Sequence, residues 1–305
     1  MAAAAVFTQE ASGTLADGSR IAQTVIQPDA MPGLRVMAYE LGAGRRLEIH
    51  TNLDSARGAE IDSLAAVVGR CYGFLETATG RRVPGGVLLY VLEYPRRPRY
   101  YRFRAEVDDS ADWNEIRVAL LQAGNPLVGP GAGAHVTEFI FDTLPHELTH
   151  SLLTAEPTVR HDLDGHPPLG TRWFIEGVCE KLAKDFAAAE APEFLHTALR
   201  MRHLDGSFMR PELGSIVWKW GQASEFSLID ETELYGLAMM MVTAWLEHID
   251  LTDLLDRMSR RGGDIAGEGL LNLLRETTGM DRTQLLAGAC NPAGGDFPAA
   301  ALSVR

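Results

Sequence analysis

The sequence predicts an α+β protein in which a mixed or antiparallel sheet with one helix is followed by a mainly helical C-terminal half. Short apolar runs bounded by glycine or proline are concentrated in the first 134 residues, whereas helical periodicity dominates afterwards. We therefore expect a strand-rich subdomain at 21–134 and a helical subdomain at 135–290. The Ala-rich start, 1–20, and the Gly/Pro/Ala-rich tail, 291–305, are expected to be flexible.

In the N-terminal half, three alternating runs within 21–51 are typical of antiparallel strands, and 87–94 and 116–122 predict two more strands. A helix is predicted over 60–76, because apolar residues recur there three or four positions apart. These apolar residues are Ile61, Leu64, Ala65, Val68, Tyr72 and Leu75. In the C-terminal half, helical periodicity extends over 136–154, 172–189, 232–248, 250–259, 264–278 and 281–288.

The composition indicates a globular protein and excludes some partners. Of the 305 residues, 46% are apolar, which is enough for a large core. The 41 acidic side chains outnumber the 28 basic ones, and the formal charge of -13 repels phosphate backbones and anionic lipid. The longest strongly apolar run, 236–246, is far shorter than the roughly 20 residues that cross a bilayer. We expect neither nucleic acid nor a membrane as a partner.

Cysteine usage favours a reducing compartment. Cys71, Cys179 and Cys290 are few, odd in number and far apart, which does not suit a disulfide framework. The N-terminal segment has no basic leader, and its apolar stretch is about half the length of a signal-peptide core. The cytoplasm is therefore the expected location.

The pentapeptide HELTH at 146–150 carries the clearest chemical signal. His146 and His150 lie four residues apart, so on a helix both imidazoles face one side and can bind one metal ion. Glu147 lies on the same side, where it can take a proton from a metal-bound water. Apolar neighbours predict a largely buried helix, and a buried ionisable cluster requires a partner. The alternative is a surface helix that carries these three residues by chance.

Pro145 stands immediately before this cluster and removes a backbone donor from the predicted helix. Two arrangements are compatible with it. Either the helix starts near Asp142 or Thr143, with the proline in its first turn, or a longer helix is kinked there. Both keep the two histidines on one face.

A catalytic zinc ion takes three protein ligands and leaves one position open for water. Glu176, in the helical run RWFIEGVCEKLAKDF, is the best candidate for the third ligand. Glu180 lies one turn further along, where its carboxylate can orient a ligand imidazole from behind. Cys179 is a weaker competitor, because burial as a small apolar side chain explains it equally well. Alternatively, the two glutamates are a solvated acidic pair at helical spacing.

Together the two segments resemble the gluzincin metallopeptidases, in particular the aminopeptidase N-like and peptidase MA-like group. In that group an HExxH motif is followed by a W-x-x-E-G segment, which here reads WFIEG. The resemblance implies a zincin, thermolysin-like catalytic domain with one zinc ion on His146, His150 and Glu176. It also implies that Glu147 is the general base and that the substrate is a peptide or a small amide.

The same group has a tyrosine at the start of a buried helix after the third ligand, where it stabilises the oxyanion. Tyr235, in TELYGLAMMMVTAWLEH, matches by order and context. A phenol there would hydrogen-bond the negative charge that develops on the attacked carbonyl oxygen. The alternative is a core tyrosine, because Met239, Val242 and Leu246 share its helical stripe.

One segment departs from the resemblance. True aminopeptidases of this family carry a G-x-M-E-N segment, whose glutamate binds the free amino terminus of the substrate. The nearest counterpart here is AGNPLV, where Gly124 stands in place of that glutamate. The resemblance therefore does not extend to recognition of a free N-terminus.

The expected function is a zinc-dependent metallohydrolase, and specifically a peptidase. Two alternatives stay open: a zinc hydrolase of a non-peptide amide or ester metabolite, and a non-catalytic binding protein that zinc stabilises. Glu147 argues against the second alternative, because a structural zinc site needs ligands but no base. A basic and aromatic cluster at 95–104 is read as an edge hairpin, and the HDLDGH segment at 161–166 as an ordinary polar loop.

Overall fold

The computed structural model describes two compact units of the chain. The described residues are 9–14, 20–25, 34–41, 45–83, 85–93, 105–108, 113–120, 137–154, 170–201, 217–218, 220, 231–261 and 267–290. The first unit comprises 1–69 with 84–139, and the second comprises 70–83 with 140–305. All described strands belong to the first unit, and most of the helices belong to the second. The fold class is therefore α+β, in agreement with the prediction.

The first unit contains a hairpin and a five-stranded mixed sheet. The strands are β1 (Gln9–Thr14), β2 (Arg20–Val25), β3 (Arg35–Glu40), β4 (Arg46–Thr51), β5 (Gly86–Glu93), β6 (Ala105–Asp108) and β7 (Trp113–Leu120). Strands β1 and β2 pair with each other, and the larger sheet has the order β3-β4-β5-β7-β6. The three central strands are parallel, and both edge strands run antiparallel to their neighbours.

Burial explains the register of the central strands. Leu47 and Ile49 of β4 are fully buried and lie opposite Val87 and Leu89 of β5, which are fully buried too. Because side chains alternate between the faces of a strand, this register places all four on one face. Parallel neighbours require a crossover connection, and the helix α1 (Gly58–Thr79) lies between β4 and β5 in the chain.

Helix α1 agrees with the helix that the sequence predicts over 60–76. All six apolar residues on which that prediction rests are buried. The helix is followed by Gly80, whose amide donates to the carbonyl oxygen of Glu76 and whose φ is +64°. A Cβ at Gly80 would also lie 2.8 Å from Cγ2 of Thr252. Both the backbone conformation and the space therefore require glycine at this helix end.

The second unit is helical. Its helices are α2 (Leu144–Thr154), α3 (Arg172–Glu190), α4 (Pro192–Met201), α5 (Glu231–Leu246), α6 (Leu251–Arg261), α7 (Gly267–Thr278) and α8 (Arg282–Cys290). Helix α3 is central, because it contacts α2, α4 and α5, and α5 in turn contacts α8. None of the described helices is both long enough and apolar enough to cross a membrane.

Two described strands and one described α-helix lie where the sequence predicts no such element. Strand β1 falls inside 1–20, which the sequence predicts to be flexible, and β6 is a short edge strand. Helix α4 begins at Pro192, directly after the C-cap of α3 at Ala191. Proline is favoured at the first position of a helix, so it starts α4 rather than ending a helical region.

Candidate metal centre

The HELTH segment lies on α2, immediately after a π-helical turn at Phe139–Thr143. Pro145 is the second residue of α2 and has no N–H to donate to the carbonyl of Phe141, its partner in a regular α-helix. In the turn before the proline, the helical run has the π-helical hydrogen-bond pattern instead of the α-helical one. Of the two arrangements that the sequence allowed, the structure has the longer helical run, which begins at 137 rather than near Asp142 or Thr143.

Helices α2 and α3 bring together three atoms of the kinds that bind metal ions. Nε2 of His146 lies 3.1 Å from Nε2 of His150. Oε2 of Glu176 lies 3.4 Å from the first of these nitrogens and 3.3 Å from the second. The three atoms thus form a nearly equilateral triangle, and the side chains are only 10%, 17% and 9% exposed.

This triangle fits a tetrahedral zinc ion. Zinc bonds of about 2.0–2.1 Å place neighbouring tetrahedral ligand atoms about 3.3–3.4 Å apart, close to the observed separations. Oε2 of Glu176 is buried, and no well-aligned hydrogen bond to it is found among the described residues. A buried carboxylate oxygen that faces two imidazole nitrogens is a suitable position for a cation.

The electrostatics of the metal-free site also favour a positive charge beside Glu176. Burial alone would lower the pKa of His146, but the close polar contacts with Glu176 and Glu180 and the charges of Glu180 and Glu147 raise it to about 10. Burial opposes ionisation of Glu176, yet the adjacent His150 and His146 hold the pKa of this carboxyl well below its usual range. Without a metal ion, the site therefore draws a proton onto His146.

The charged side chains of the site carry a net negative charge that one divalent cation would balance. The four carboxylates and two cationic side chains are Asp142, Glu147, Glu176, Glu180, Arg172 and Lys184. With neutral histidines these six groups carry a net charge of two negative units, the difference between four acids and two bases. A bound Zn²⁺ would neutralise that excess.

Cys179 also lies near the two histidines. One ligand atom each from His146, His150 and Cys179 lie within 4.8 Å of one another. These separations extend to 4.8 Å, whereas those in the triangle that Glu176 completes are 3.1–3.4 Å. Burial, followed by the charges of Glu176, Glu147 and Glu180, raises the pKa of the Cys179 thiol well above its ordinary value. The thiolate that a metal needs is therefore disfavoured in the metal-free site, and the shorter distances favour Glu176 as the third donor.

Glu180 lies behind His146. Its Oε1 is 3.2 Å from Nδ1 of the imidazole, within hydrogen-bond distance although the two groups are not well aligned. Its Oε2 accepts a hydrogen bond of 2.8 Å from Nζ of Lys184, which also donates to Oδ1 of Asp142. All four side chains are buried. The structure thus contains a continuous buried chain from the imidazole to the π turn.

A second group of side chains lies near the donor triangle. Nε of Arg172 donates to Oε1 of Glu176 at 3.3 Å, and its guanidinium lies 4.6 Å above the ring of Trp220. The rings of Trp220 and Tyr235 meet edge to face at 4.8 Å, and Tyr235 lies 6.0 Å from the ring of His146. Tyr235 is half-buried in the second turn of α5.

Glu147 is half-buried on α2. Its charge contributes to the raised pKa values of both His146 and Cys179, so it lies within electrostatic reach of the donor triangle. Gly124, the cluster at 95–104 and the HDLDGH segment at 161–166 lie outside the described residues.

Four of the side chains around the site are absent from the sequence predictions. Arg172 and Lys184 carry a readable signal, because each lies one helical turn from a glutamate of α3, at the spacing of an ion pair. Asp142 lies 42 residues from its partner Lys184 and gives no such signal. Trp220 gives none either.

Comparison with known proteins identifies the fold. No family model matches the sequence, and no curated protein matches it. The structure is similar to that of an aminopeptidase N family protein from Idiomarina loihiensis, with a TM-score of 0.55 and 12% identity over 93% of this chain and 52% of that one. The chain therefore shares its fold with that protein and spans about half its length.

A second solved structure is an M1 zinc metallopeptidase mutant from Deinococcus radiodurans, bound to a Tyr-Ser-Ala substrate. The TM-score is 0.38 and the identity 13%, over 94% of this chain and 60% of that one. At this TM-score the likeness adds nothing to the assignment of the fold.

Proposed function

We propose that this protein is a zinc-dependent metallopeptidase of the gluzincin type, with a zincin fold. His146, His150 and Glu176 would hold the zinc ion. The observation that carries the proposal is the triangle of donor atoms at 3.1–3.4 Å, which pairs a buried carboxylate oxygen with two imidazole nitrogens. The fold shared with an aminopeptidase N family protein supports it.

Zinc, when bound, lowers the pKa of a coordinated water toward about 7 and polarises a carbonyl group. The general base is Glu147. It is half-buried, lies next to a metal ligand in the chain and shares the helix face of both histidines. Its carboxylate takes a proton from the attacking water and then delivers it to the leaving amine, so that one water is consumed and the amide C–N bond breaks.

Tyr235 is the proposed oxyanion donor. Its ring lies 6.0 Å from that of His146, and the edge-to-face contact with Trp220 fixes its position. A phenol hydroxyl beside the metal would donate a hydrogen bond to the carbonyl oxygen as negative charge develops there. This interaction strengthens in the transition state and therefore accelerates the reaction.

The decisive experiment compares the wild-type protein with Glu147→Gln on a mixed peptide library, with products identified by mass spectrometry. We expect the wild type to cleave peptides in a zinc-dependent manner and Glu147→Gln to bind zinc without cleaving. Glu193→Gln is the matched control, because it makes the same chemical change at an exposed position on α4 and should retain activity.

Three results would contradict parts of this proposal. Failure of the wild type to bind zinc would remove the metal site altogether. Cleavage by Glu147→Gln at the wild-type rate would remove Glu147 as the base. Zinc binding without cleavage of any peptide would exclude a peptidase and leave a hydrolase of a non-peptide amide or ester, or a non-catalytic zinc-binding protein. Where the wild type cleaves, the positions distinguish an exopeptidase from an endopeptidase.

A further inference from the structure

Helix α3 carries four charged side chains at intervals of four residues: Arg172, Glu176, Glu180 and Lys184. They form a stripe in which two carboxylates lie between two cations. Arg172 pairs with Glu176, and Lys184 pairs with Glu180. Each carboxylate that faces the histidines of α2 is therefore paired, on its own helix, with a cation one turn away.

The two cations differ in burial. The side chain of Arg172 is 25% exposed, whereas that of Lys184 is 0% exposed and those of its partners Glu180 and Asp142 are 1% and 4% exposed. A lysine without access to water is stable only if its charge is compensated by hydrogen-bonded partners. Lys184 therefore has its ammonium group fixed between two carboxylates.

Glu180 uses both of its oxygens. Oε2 accepts the hydrogen bond from Lys184, and Oε1 lies 3.2 Å from Nδ1 of His146. Since Lys184 also donates to Asp142 of the π turn, it links that turn to α3 as well as to the carboxylate behind the imidazole. Movement of the ammonium group would release Glu180, and with it the orientation of the ring.

We propose that Lys184 is a positioning residue for the metal site. By holding Glu180, it fixes the tautomer and the ring orientation of His146 in which Nε2 points at the metal. The inference rests on the proposed zinc site. A ligand imidazole typically donates its other N–H to a carboxylate, and loss of such a partner weakens metal binding about 10- to 100-fold. Lys184 acts one step further from the metal, through that carboxylate.

The test measures the zinc Kd of Lys184→Met by competition with a chelator and records the visible spectrum of the Co²⁺-substituted protein. We expect zinc binding about 10-fold weaker than in the wild type and an altered Co²⁺ spectrum. Lys181→Met is the matched control. It breaks a neighbouring ion pair of the same helix, between Lys181 and Asp185, whose side chains are 11% and 9% exposed, and it should change stability without changing the zinc Kd.

Additivity distinguishes positioning from a general structural role. If Lys184 acts through Glu180, Lys184→Met should cost no further zinc affinity once Glu180→Gln is present. Should Lys184→Met fail to fold, the Asp142→Asn/Glu180→Gln/Lys184→Met protein replaces it, because no charge of this buried chain is then left unpaired. Its zinc Kd should equal that of Glu180→Gln, and a further loss would overturn the inference.

The outcomes separate this inference from the proposed function. A wild-type protein without zinc affinity would overturn the metal site itself. A wild type that binds zinc tightly, together with a folded Lys184→Met protein of unchanged Kd and Co²⁺ spectrum, would overturn only the positioning role. Equal losses of zinc affinity in Lys181→Met and Lys184→Met would also overturn it.

Discussion

Gly177 of α3 lies so close to Ala238 of α5 that a Cβ atom on the glycine would be 2.5 Å from the alanine carbonyl oxygen. The same Cβ would lie 2.6 Å from Cγ2 of Val242. Neither distance is tolerated, so only glycine allows the two helices to cross here. Because Gly177 follows Glu176 directly and Ala238 is three residues after Tyr235, this crossing sets the distance between two proposed site residues.

The first prediction concerns this crossing. Gly177→Ala should destabilise the protein by about 1–3 kcal/mol, because the helices must separate, and should weaken zinc binding by displacing Glu176. Gly73→Ala is the control. Gly73 is exposed in α1, nothing lies within 4 Å of an added Cβ, and the change should stabilise the helix by about 0.5–1 kcal/mol. Urea unfolding and chelator competition measure the two effects, and equal stability of wild type and Gly177→Ala would contradict the close crossing.

The second prediction distinguishes the two candidate third ligands. Glu176→Gln should weaken zinc binding by more than the roughly 10- to 100-fold expected for loss of a residue behind a ligand. Cys179→Ser, which is nearly isosteric, should change the zinc Kd far less, because it keeps all three proposed ligands and the shape of the buried site. The Co²⁺ protein should lack the sulfur-to-cobalt charge-transfer absorption. Its presence, with loss of zinc affinity in Cys179→Ser, would assign the ligand to the cysteine.

The third prediction concerns pH. In the metal-free protein the pKa of His146 is raised from its ordinary value of 6.5 to about 10, so its protonation stabilises the folded state. This contribution is complete below pH 6.5 and is lost as the pH rises through about 10. The melting temperature of the zinc-free protein should therefore fall over that range.

Zinc binding requires a neutral imidazole and should release about one proton near pH 8. Calorimetric titration in buffers of different ionisation enthalpy measures the number of protons released. Glu180→Gln removes one of the groups that raise the pKa of His146, so this variant should release fewer protons when it binds zinc. Equal proton release by both proteins would contradict the role of Glu180 beside this ring.

The fourth prediction tests the proposed oxyanion donor. Tyr235→Phe keeps the ring contacts with His146 and Trp220 but removes the hydroxyl. We expect kcat to fall about 10²- to 10³-fold, as for loss of one oxyanion donor, while zinc Kd and melting temperature stay close to wild type. An unchanged kcat would make Tyr235 a core residue that packs against the metal site.

The fifth prediction concerns Arg172. Its hydrogen bond to Oε1 of Glu176 leaves Oε2 directed at the two histidines. Arg172→Met should weaken zinc binding about 10-fold. Arg172→Lys should restore part of this affinity, because it returns the charge but not the stacked guanidinium plane. A zinc Kd unaffected by Arg172→Met would show that the ion pair does not orient the carboxylate.

Local periodicity accounts for what could be predicted of the fold. The helix over 60–76, the buried strand at 87–94 and the helices of the C-terminal half depend on apolar spacing within one segment, which the sequence displays directly. The parallel pairing of β4 with β5 and the positions of β1 and β6 depend on contacts between distant segments. In the sequence, the proline at the start of α4 is equally compatible with the end of a helical region, so the helix was not predicted.

Sequence spacing likewise accounts for only part of the candidate site. His146, Glu147 and His150 lie on one helical turn, so their convergence follows from sequence spacing alone. Sequence spacing does not decide which of Glu176, Cys179 and Glu180 is the third ligand, because that depends on how α3 is rotated against α2. The tertiary structure brings Oε2 of Glu176 within 3.3–3.4 Å of both imidazoles.

The sequence by itself determined the chemistry available to this protein: two imidazoles and a carboxylate on one helix face, a net negative charge and few cysteines. The cytoplasmic location stays a prediction from that cysteine usage. Only the tertiary structure decided which remote groups surround the histidines. Lys184 lies 42 residues from Asp142, and their contact exists because packing of α3 beside the π turn excludes water and forces buried charges to pair.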